Sequence, residues 1–190
     1  MGRRVVVKRS ELQNNLAMTV TLVMGSMLFA TLFMGYAVYR TSATVWPPLG
    51  IPKISLMVPF LSTIVVALSS WFMYKVKVLV SQNQLQAGLK NLNFTMVLGT
   101  LFLASQGYLW FYLKNTGVFL GTSGIFGSVL YGFTWIHAVH MVMGMGALTY
   151  LKFALHSSAP NKMQKTINVE KFWHFLGLIW FIMFLIIFVL

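Results

Sequence analysis

The chain alternates between long apolar runs and short polar segments. Five runs are long enough to cross a bilayer, because a spanning helix needs about 20 residues. A spanning segment must satisfy its own backbone hydrogen bonds, and the sequence lacks the short alternating strands of a β-barrel. The pattern therefore predicts an all-α polytopic membrane protein, a bundle of five transmembrane helices in a single domain over residues 1–190. The predicted spans are residues 16–39, 54–74, 92–113, 125–151 and 172–190.

The charges between these runs predict the orientation of the bundle. The chain has 14 Lys and Arg residues against two acidic ones. Eleven of the 14 lie in the N-terminal tail and in the second and fourth loops, whereas Arg40, Lys53 and Lys114 lie on the opposite side. The positive-inside rule then predicts a cytoplasmic N-terminus and a periplasmic C-terminus. Because the basic residues fall between apolar runs and form no patch, we expect no nucleic-acid partner.

The composition is typical of a membrane protein, with 58% hydrophobic and 8% charged residues. The N-terminal "MGRRVVVKRS" could open a signal peptide. However, the apolar run behind it is as long as a full span, and no A-x-A-like cleavage site follows. We therefore expect a cytoplasmic lead into the first helix. The chain has no cysteine, which excludes disulfides, thiolate metal sites and covalent c-type haem attachment.

The stretch "FTWIHAVHMVMGMG" carries the strongest candidate chemistry. His137 and His140 share one face of the fourth helix, and Gly144 continues that face one turn later. Two histidines on one helix cannot sandwich a haem. A metal site would need a third ligand at matching depth, whereas His174 is expected nearer the cytoplasmic surface. We therefore favour hydrogen bonds within the bundle or towards a partner, with redox ligation and a proton relay as alternatives.

Two further segments carry polar or interfacial residues. Gln106, in "ASQGYLWFYL", is a polar side chain inside an apolar helix and predicts a hydrogen bond between helices, with a substrate contact as the alternative. The loop "RTSATVWPPLGIPK" predicts a stiff hairpin with Trp46 at the membrane interface. The predicted spans contain no Asp, Glu, Lys or Arg, and Glu11 and Glu170 lie outside them. A proton-driven transporter and a Ser–His–Asp hydrolase are therefore disfavoured.

In their order along the chain, these motifs resemble subunit III of the haem-copper oxidases, the cytochrome c and quinol oxidase family, in its short five-helix bacterial form. The resemblance covers most of the chain. It rests on "LFATLFMGYAVYR" before "WPPLGIP", the serines of "LSS", then "QGYLW", "GSVLYGFTWIHAVHMVMGM" and "FWHFLGLIWFIMFL".

The resemblance implies a non-catalytic accessory subunit of a proton-pumping terminal oxidase in the bacterial cytoplasmic membrane. It implies no cofactor in this chain, haem and copper in partner subunits, and bound phospholipid. The expected partners are the catalytic subunit I as main contact, subunit II, and a respiratory supercomplex with a quinol-oxidising complex. The expected role is to stabilise subunit I and support proton uptake. The alternatives are a subunit III homologue of a nitric oxide reductase or quinol oxidase and, more distantly, a small membrane haem protein.

Seven residues are candidates for contacts with lipid or a neighbouring subunit: Arg40, Trp46, Gln106, His137, His140, Trp173 and His174. Of these, Trp173 and His174 are expected to anchor the last helix near the cytoplasmic interface. The chain departs from the family pattern at three positions where membrane carboxylates are usual, with Gly25, Leu109 and Gly177 instead. Roles of the family that rest on those carboxylates are therefore not implied for this chain. With five helices, one wall of the family's lipid cleft is absent unless a neighbouring subunit supplies it.

Overall fold

Five long helices make up the described part of the computed structural model, which covers residues 2–43, 56–117, 124–157 and 161–189, with side chains from residue 12 onward. No strand occurs in these ranges, and all five helices are long and apolar enough to cross a membrane. The prediction of an all-α protein with five spanning helices is thus confirmed. The helices are α1 (Gly2–Ser42), α2 (Met57–Ser81), α3 (Leu85–Asn115), α4 (Gly124–His156) and α5 (Lys162–Met183), which continues as a π-helical segment, Phe184–Val189.

Helices α2 and α3 form a tight antiparallel hairpin around the short turn at residues 82–84. Small hydroxyl side chains lie at their interface. The hydroxyl oxygens of Ser62 and Ser105 are 2.8 Å apart, and the Ser69 hydroxyl donates to the carbonyl oxygen of Thr95 at 3.2 Å. Small residues let two helix backbones approach closely, and in a bilayer this close packing replaces the hydrophobic effect as the attraction between helices.

Helices α4 and α5 form the centre of the bundle, whereas α1 lies at its edge. Half of the residues in the most apolar window of α4 and of α5 are buried, against 6% in α1. Helix α1 attaches through aromatic side chains, for example Phe33 stacked on Phe133 of α4 with ring centroids 5.4 Å apart. Its exposed apolar residues carry no penalty in a membrane, because lipid tails are as apolar as leucine side chains.

All five helices extend beyond the predicted spans at one or both ends, and two of them, α2 and α5, carry charges into the bundle. The fifth span was predicted to begin at residue 172, but α5 begins at Lys162 and contains Glu170, whose side chain is buried. Likewise, α2 continues to Ser81 and contains Lys77. The predicted spans themselves contain no charged residue, but the helices are longer than these spans and include Lys77 and Glu170. An apolar window detects the hydrocarbon-facing part of a helix, whereas the first and last turns are set by the packing of their polar side chains.

The loop between α1 and α2 lies outside the described residues from position 44 to position 55. It contains Trp46 and the prolines of the predicted interfacial hairpin. Both the hairpin and the interfacial position of Trp46 stay predictions.

Candidate functional site

His137 lies where four helices meet. Its side chain is 1% exposed and is enclosed by Phe29 of α1, Phe102 of α3 and Trp180 of α5. The ring centroids are 6.2, 5.8 and 5.6 Å from the imidazole, respectively. Neither ring nitrogen has a hydrogen-bond partner among the described residues. His137 thus serves as an aromatic packing residue, and a porphyrin would have to displace at least one of the three rings.

His140, one turn further along α4, faces the space between α1, α4 and α5. Its Nδ1 lies 2.8 Å from the carbonyl oxygen of Ile136 on the same helix, and its ring lies 5.4 Å from Phe29. A carbonyl oxygen only accepts hydrogen bonds, so Nδ1 carries the ring proton and Nε2 remains an acceptor. The two histidines therefore have different neighbours despite their spacing. A bond from His140 to a neighbouring subunit stays a prediction.

Gln106 bonds across helices, although weakly. Its Nε2 lies 3.4 Å from the Ser62 hydroxyl of α2 and 3.5 Å from the hydroxyl of Ser105, whereas its Oε1 is buried without a partner among the described residues. One turn along, the indole of Trp110 donates to the Thr134 hydroxyl of α4 at 3.0 Å. Helices α3 and α4 are antiparallel. Gln106, one turn before Trp110, therefore lies at about the same depth as His137, one turn after Thr134. A layer of polar side chains thus crosses the bundle interior.

Trp173 holds α5 against the other helices. Its side chain is 3% exposed, and its Nε1 donates to the Ser69 hydroxyl of α2 at 3.1 Å. Gly99 of α3 and Gly144 of α4 make room for the indole, because a Cβ at either position would lie about 3 Å from its ring carbons. The small residue predicted to admit a neighbouring helix at position 144 does so, and the neighbour is α5.

A charged cluster at one end of the bundle was missed by the sequence analysis. Lys77 Nζ of α2 lies 3.0 Å from each carboxylate oxygen of Glu170 on α5, and His174 Nε2 lies 3.6 Å from the nearer one. The spacing of Glu170 and His174, four residues apart, could have indicated a pair on one helix face. The partner lysine could not be identified, since it lies 93 residues away.

Three of the seven candidate contact residues are enclosed. Gln106, His137 and Trp173 are each at most 3% exposed and contact other helices of this chain. A contact of these side chains with lipid or another subunit stays a prediction. Arg40, His140 and His174 are only partly buried. Arg40 lies in the last turn of α1, where a cation interacts favourably with the helix dipole. These three remain the described candidates for an external contact.

The three positions without the family's carboxylates have distinct surroundings. Gly25 faces the ring of Phe175 on α5, and Leu109 is fully buried. A Cβ at position 177 would lie 3.1 Å from the Ser70 hydroxyl. Position 25 and His140 line the same cavity.

These features define the class of protein to which the chain belongs. The chain is a multi-pass helical membrane protein whose interior polar groups join its helices, and in the described ranges no three His, Asp or Glu residues could together hold a metal ion. The family described as "Cytochrome c oxidase subunit III" matches residues 5–190.

Individual relatives agree with this match. The "Cytochrome c oxidase subunit 3" of Synechocystis is 31% identical over 175 residues, which cover 89% of this chain and 72% of that protein. The "Probable cytochrome c oxidase subunit 3" of Nocardia farcinica is 31% identical over 81% of this chain and 76% of its own length. The "Cytochrome c oxidase subunit 3" of Thermostichus vulcanus is 29% identical over 92% of this chain and 86% of its own length.

The chain therefore belongs to the cytochrome c oxidase subunit III family. It is an accessory subunit of a terminal oxidase and forms a complex with other oxidase subunits. The family does not itself carry the metal centres. The recognition made from the ordered motifs is confirmed.

Proposed function

We propose that this subunit stabilises the catalytic subunit I of a bacterial terminal oxidase by packing beside it in the cytoplasmic membrane, without carrying electrons itself. The observation that best supports this role is the use of the interior polar groups. The hydroxyls of Ser69 and Thr63 accept hydrogen bonds from Trp173 and Trp180, and these bonds join α2 to α5. Such groups hold the bundle together, and the apolar outer surface is left for lipid and neighbouring subunits.

Haem and copper are expected in the partner subunits, with subunit II in the same complex and a supercomplex with a quinol-oxidising complex as a further partner. Phospholipid is expected to cover the remaining apolar surface. Support for proton uptake would have to involve groups other than those usual in the family, because positions 25, 109 and 177 hold no carboxyl. Glu170 is the only acidic residue whose side chain the structure describes.

Deletion of the subunit is expected to leave the haem absorption spectrum of the purified oxidase unchanged while shortening its active lifetime during turnover. An accessory subunit supports the catalytic subunit but contributes no haem ligand. The measurement is the spectrum and the decay of oxygen consumption in oxidase purified with and without this chain. Loss of the haem bands from an otherwise assembled complex would contradict the accessory role, and the catalytic subunit that copurifies would identify the type of oxidase.

The N-terminus is expected in the cytoplasm and the C-terminus in the periplasm. Helix ends with Lys75, Lys77, Lys152 and Lys162 would then face the cytoplasm, as the positive-inside rule requires. Fusions of a periplasm-active phosphatase should be active when placed after the C-terminus and inactive when placed in the α2–α3 turn. The opposite pattern would reverse the proposed orientation.

A further inference from the structure

A cavity between three helices has a composition that the accessory role does not explain. It has a volume of about 230 Å³ and is lined by Thr21 and Gly25 of α1, His140 and Met143 of α4, and Phe172 and Phe175 of α5. We call it the α1–α4–α5 groove. The exposed Met143 lies at its rim, so the groove opens on the outer, lipid-facing side of the bundle.

The two polar side chains of the α1–α4–α5 groove can only accept hydrogen bonds. The Nδ1 proton of His140 is used by the Ile136 carbonyl, which leaves the Nε2 lone pair. The Thr21 hydroxyl donates its proton to the Ala17 carbonyl oxygen at 2.9 Å, so only its lone pairs remain to accept a hydrogen bond from a ligand. His140 Nε2 has no hydrogen-bond partner among the described residues. At hydrocarbon depth, water is not available to pair with it.

A ligand that fits this groove must therefore come from the membrane and bring a hydrogen-bond donor. A ketone or an ester carbonyl has only hydrogen-bond acceptors, so it could not form a hydrogen bond with the acceptor atoms of His140 and Thr21. An apolar molecule with a hydroxyl group offers the donor that His140 and Thr21 lack. The groove thus selects for hydroxyl-bearing lipids and against their oxidised carbonyl forms, because the latter would bury unpaired polar atoms.

The rest of the lining favours an aromatic hydroxyl over an alkyl alcohol. Phe172 and Phe175 offer ring surfaces, and Met24 and Met143 offer polarisable sulfur atoms that pack well against rings. An apolar cavity of about 150 Å³ is enough for one benzene ring. The groove, which is larger, has room for a substituted ring whose tail leaves past Met143 into the bilayer.

We propose that the α1–α4–α5 groove binds the ring of a membrane-soluble hydroquinone, with His140 Nε2 accepting from one ring hydroxyl. This is a binding site and involves no electron transfer in this chain. The inference does not depend on the accessory role. Its readout is ligand labelling of this chain, whereas the deletion experiment measures the haem spectrum and lifetime of the oxidase.

The test uses the intact oxidase complex under argon and a photoreactive hydroquinone with a decyl tail, followed by mass spectrometry of the labelled peptides. Labels should map to the segments 21–28, 140–143 or 172–175 of this chain. An unlabelled decyl-hydroquinone should compete about tenfold better than its quinone and than decanol, as expected for one added buried hydrogen bond and ring contacts. Mapping the label separates this site from any hydroquinone site in a partner subunit.

Variants with matched controls connect the labelling to the groove. Thr21→Val, which removes an acceptor at nearly constant shape, and His140→Leu should each weaken competition several-fold. Thr31→Val is the control, because the Thr31 hydroxyl makes the same bond, to the Met27 carbonyl, but lies outside the groove. Gly25→Leu should abolish labelling by filling the groove, whereas Gly35→Leu should not, since no described atom lies within 4 Å of a Cβ there.

Three results would overturn the proposal. Equal competition by hydroquinone and quinone would show that the groove does not accept a hydrogen bond from a ligand hydroxyl. Equal competition by decanol would remove the aromatic assignment. Labelling of this chain that survives both Gly25→Leu and His140→Leu in a complex with normal subunit content would show that the ligand binds elsewhere.

Discussion

Replacing Trp173 with alanine is expected to lower the free energy of unfolding of the subunit by about 3 kcal/mol. The indole fills the recess formed by Gly99 and Gly144, and its loss would leave a cavity at the junction of three helices. It would also leave the Ser69 hydroxyl without its donor. In a membrane, helices that have come apart are still surrounded by apolar lipid, so little hydrophobic free energy is lost. The expected loss of stability therefore comes from van der Waals contacts and the hydrogen bond.

Thermal unfolding of the purified subunit in detergent measures this effect. The matched control is Trp135→Ala on α4, because the Trp135 side chain is 57% exposed and fills no recess. We expect the control to lose well under half as much stability as Trp173→Ala. Equal losses for the two variants would mean that Trp173 does not hold α5 in place.

Replacing Glu170 with glutamine is expected to cost about 2 kcal/mol of stability. The change leaves Lys77 without a negative partner at a position where Glu170 itself is almost fully buried. Breaking a fully buried ion pair costs about 3–5 kcal/mol. The expected value is smaller because the side chains of Lys77 and His174 are 36% and 39% exposed and retain some solvation.

A double-mutant cycle separates the pair from its surroundings. The double variant Lys77→Met with Glu170→Met should be more stable than Glu170→Gln, because neither charge is then left without a partner. Lys171→Gln serves as the control, since Lys171 is an exposed neighbour of Glu170 on α5. Additive losses from the two single changes to Met would show that the ion pair contributes nothing beyond its separate side chains.

Much of the architecture was predictable from local patterns. Each apolar run gives one spanning helix, because a bilayer allows a segment of this kind hardly any other structure. The histidine helix, the small residue at Gly144 and the interhelical bond of Gln106 also followed from residue type and helical spacing. Ordered motifs along the chain then identified the family, although each motif alone was weak.

Residue type alone did not indicate which side chains are enclosed within the bundle. Trp173 was expected to anchor the last helix near the membrane interface, which stays a prediction. The structure adds that its side chain is buried between helices. Its burial depends on Gly99 and Gly144, which lie in two other helices, so no local window contains the information. Glu170 was placed outside the membrane helices because the apolar run begins after it, whereas the helix begins ten residues earlier, at Lys162 rather than at residue 172.

Hydropathy was enough to predict a five-helix membrane protein, since helix formation in lipid depends on local composition, and the ordered motifs indicated the subunit III family. The neighbours of each polar side chain were established only by the packing of the helices. Ser69 and Trp173 meet across 104 residues and Lys77 and Glu170 across 93. Contacts of this range depend on the rotation and depth of every helix at once, and these are set by how small and large side chains fit together.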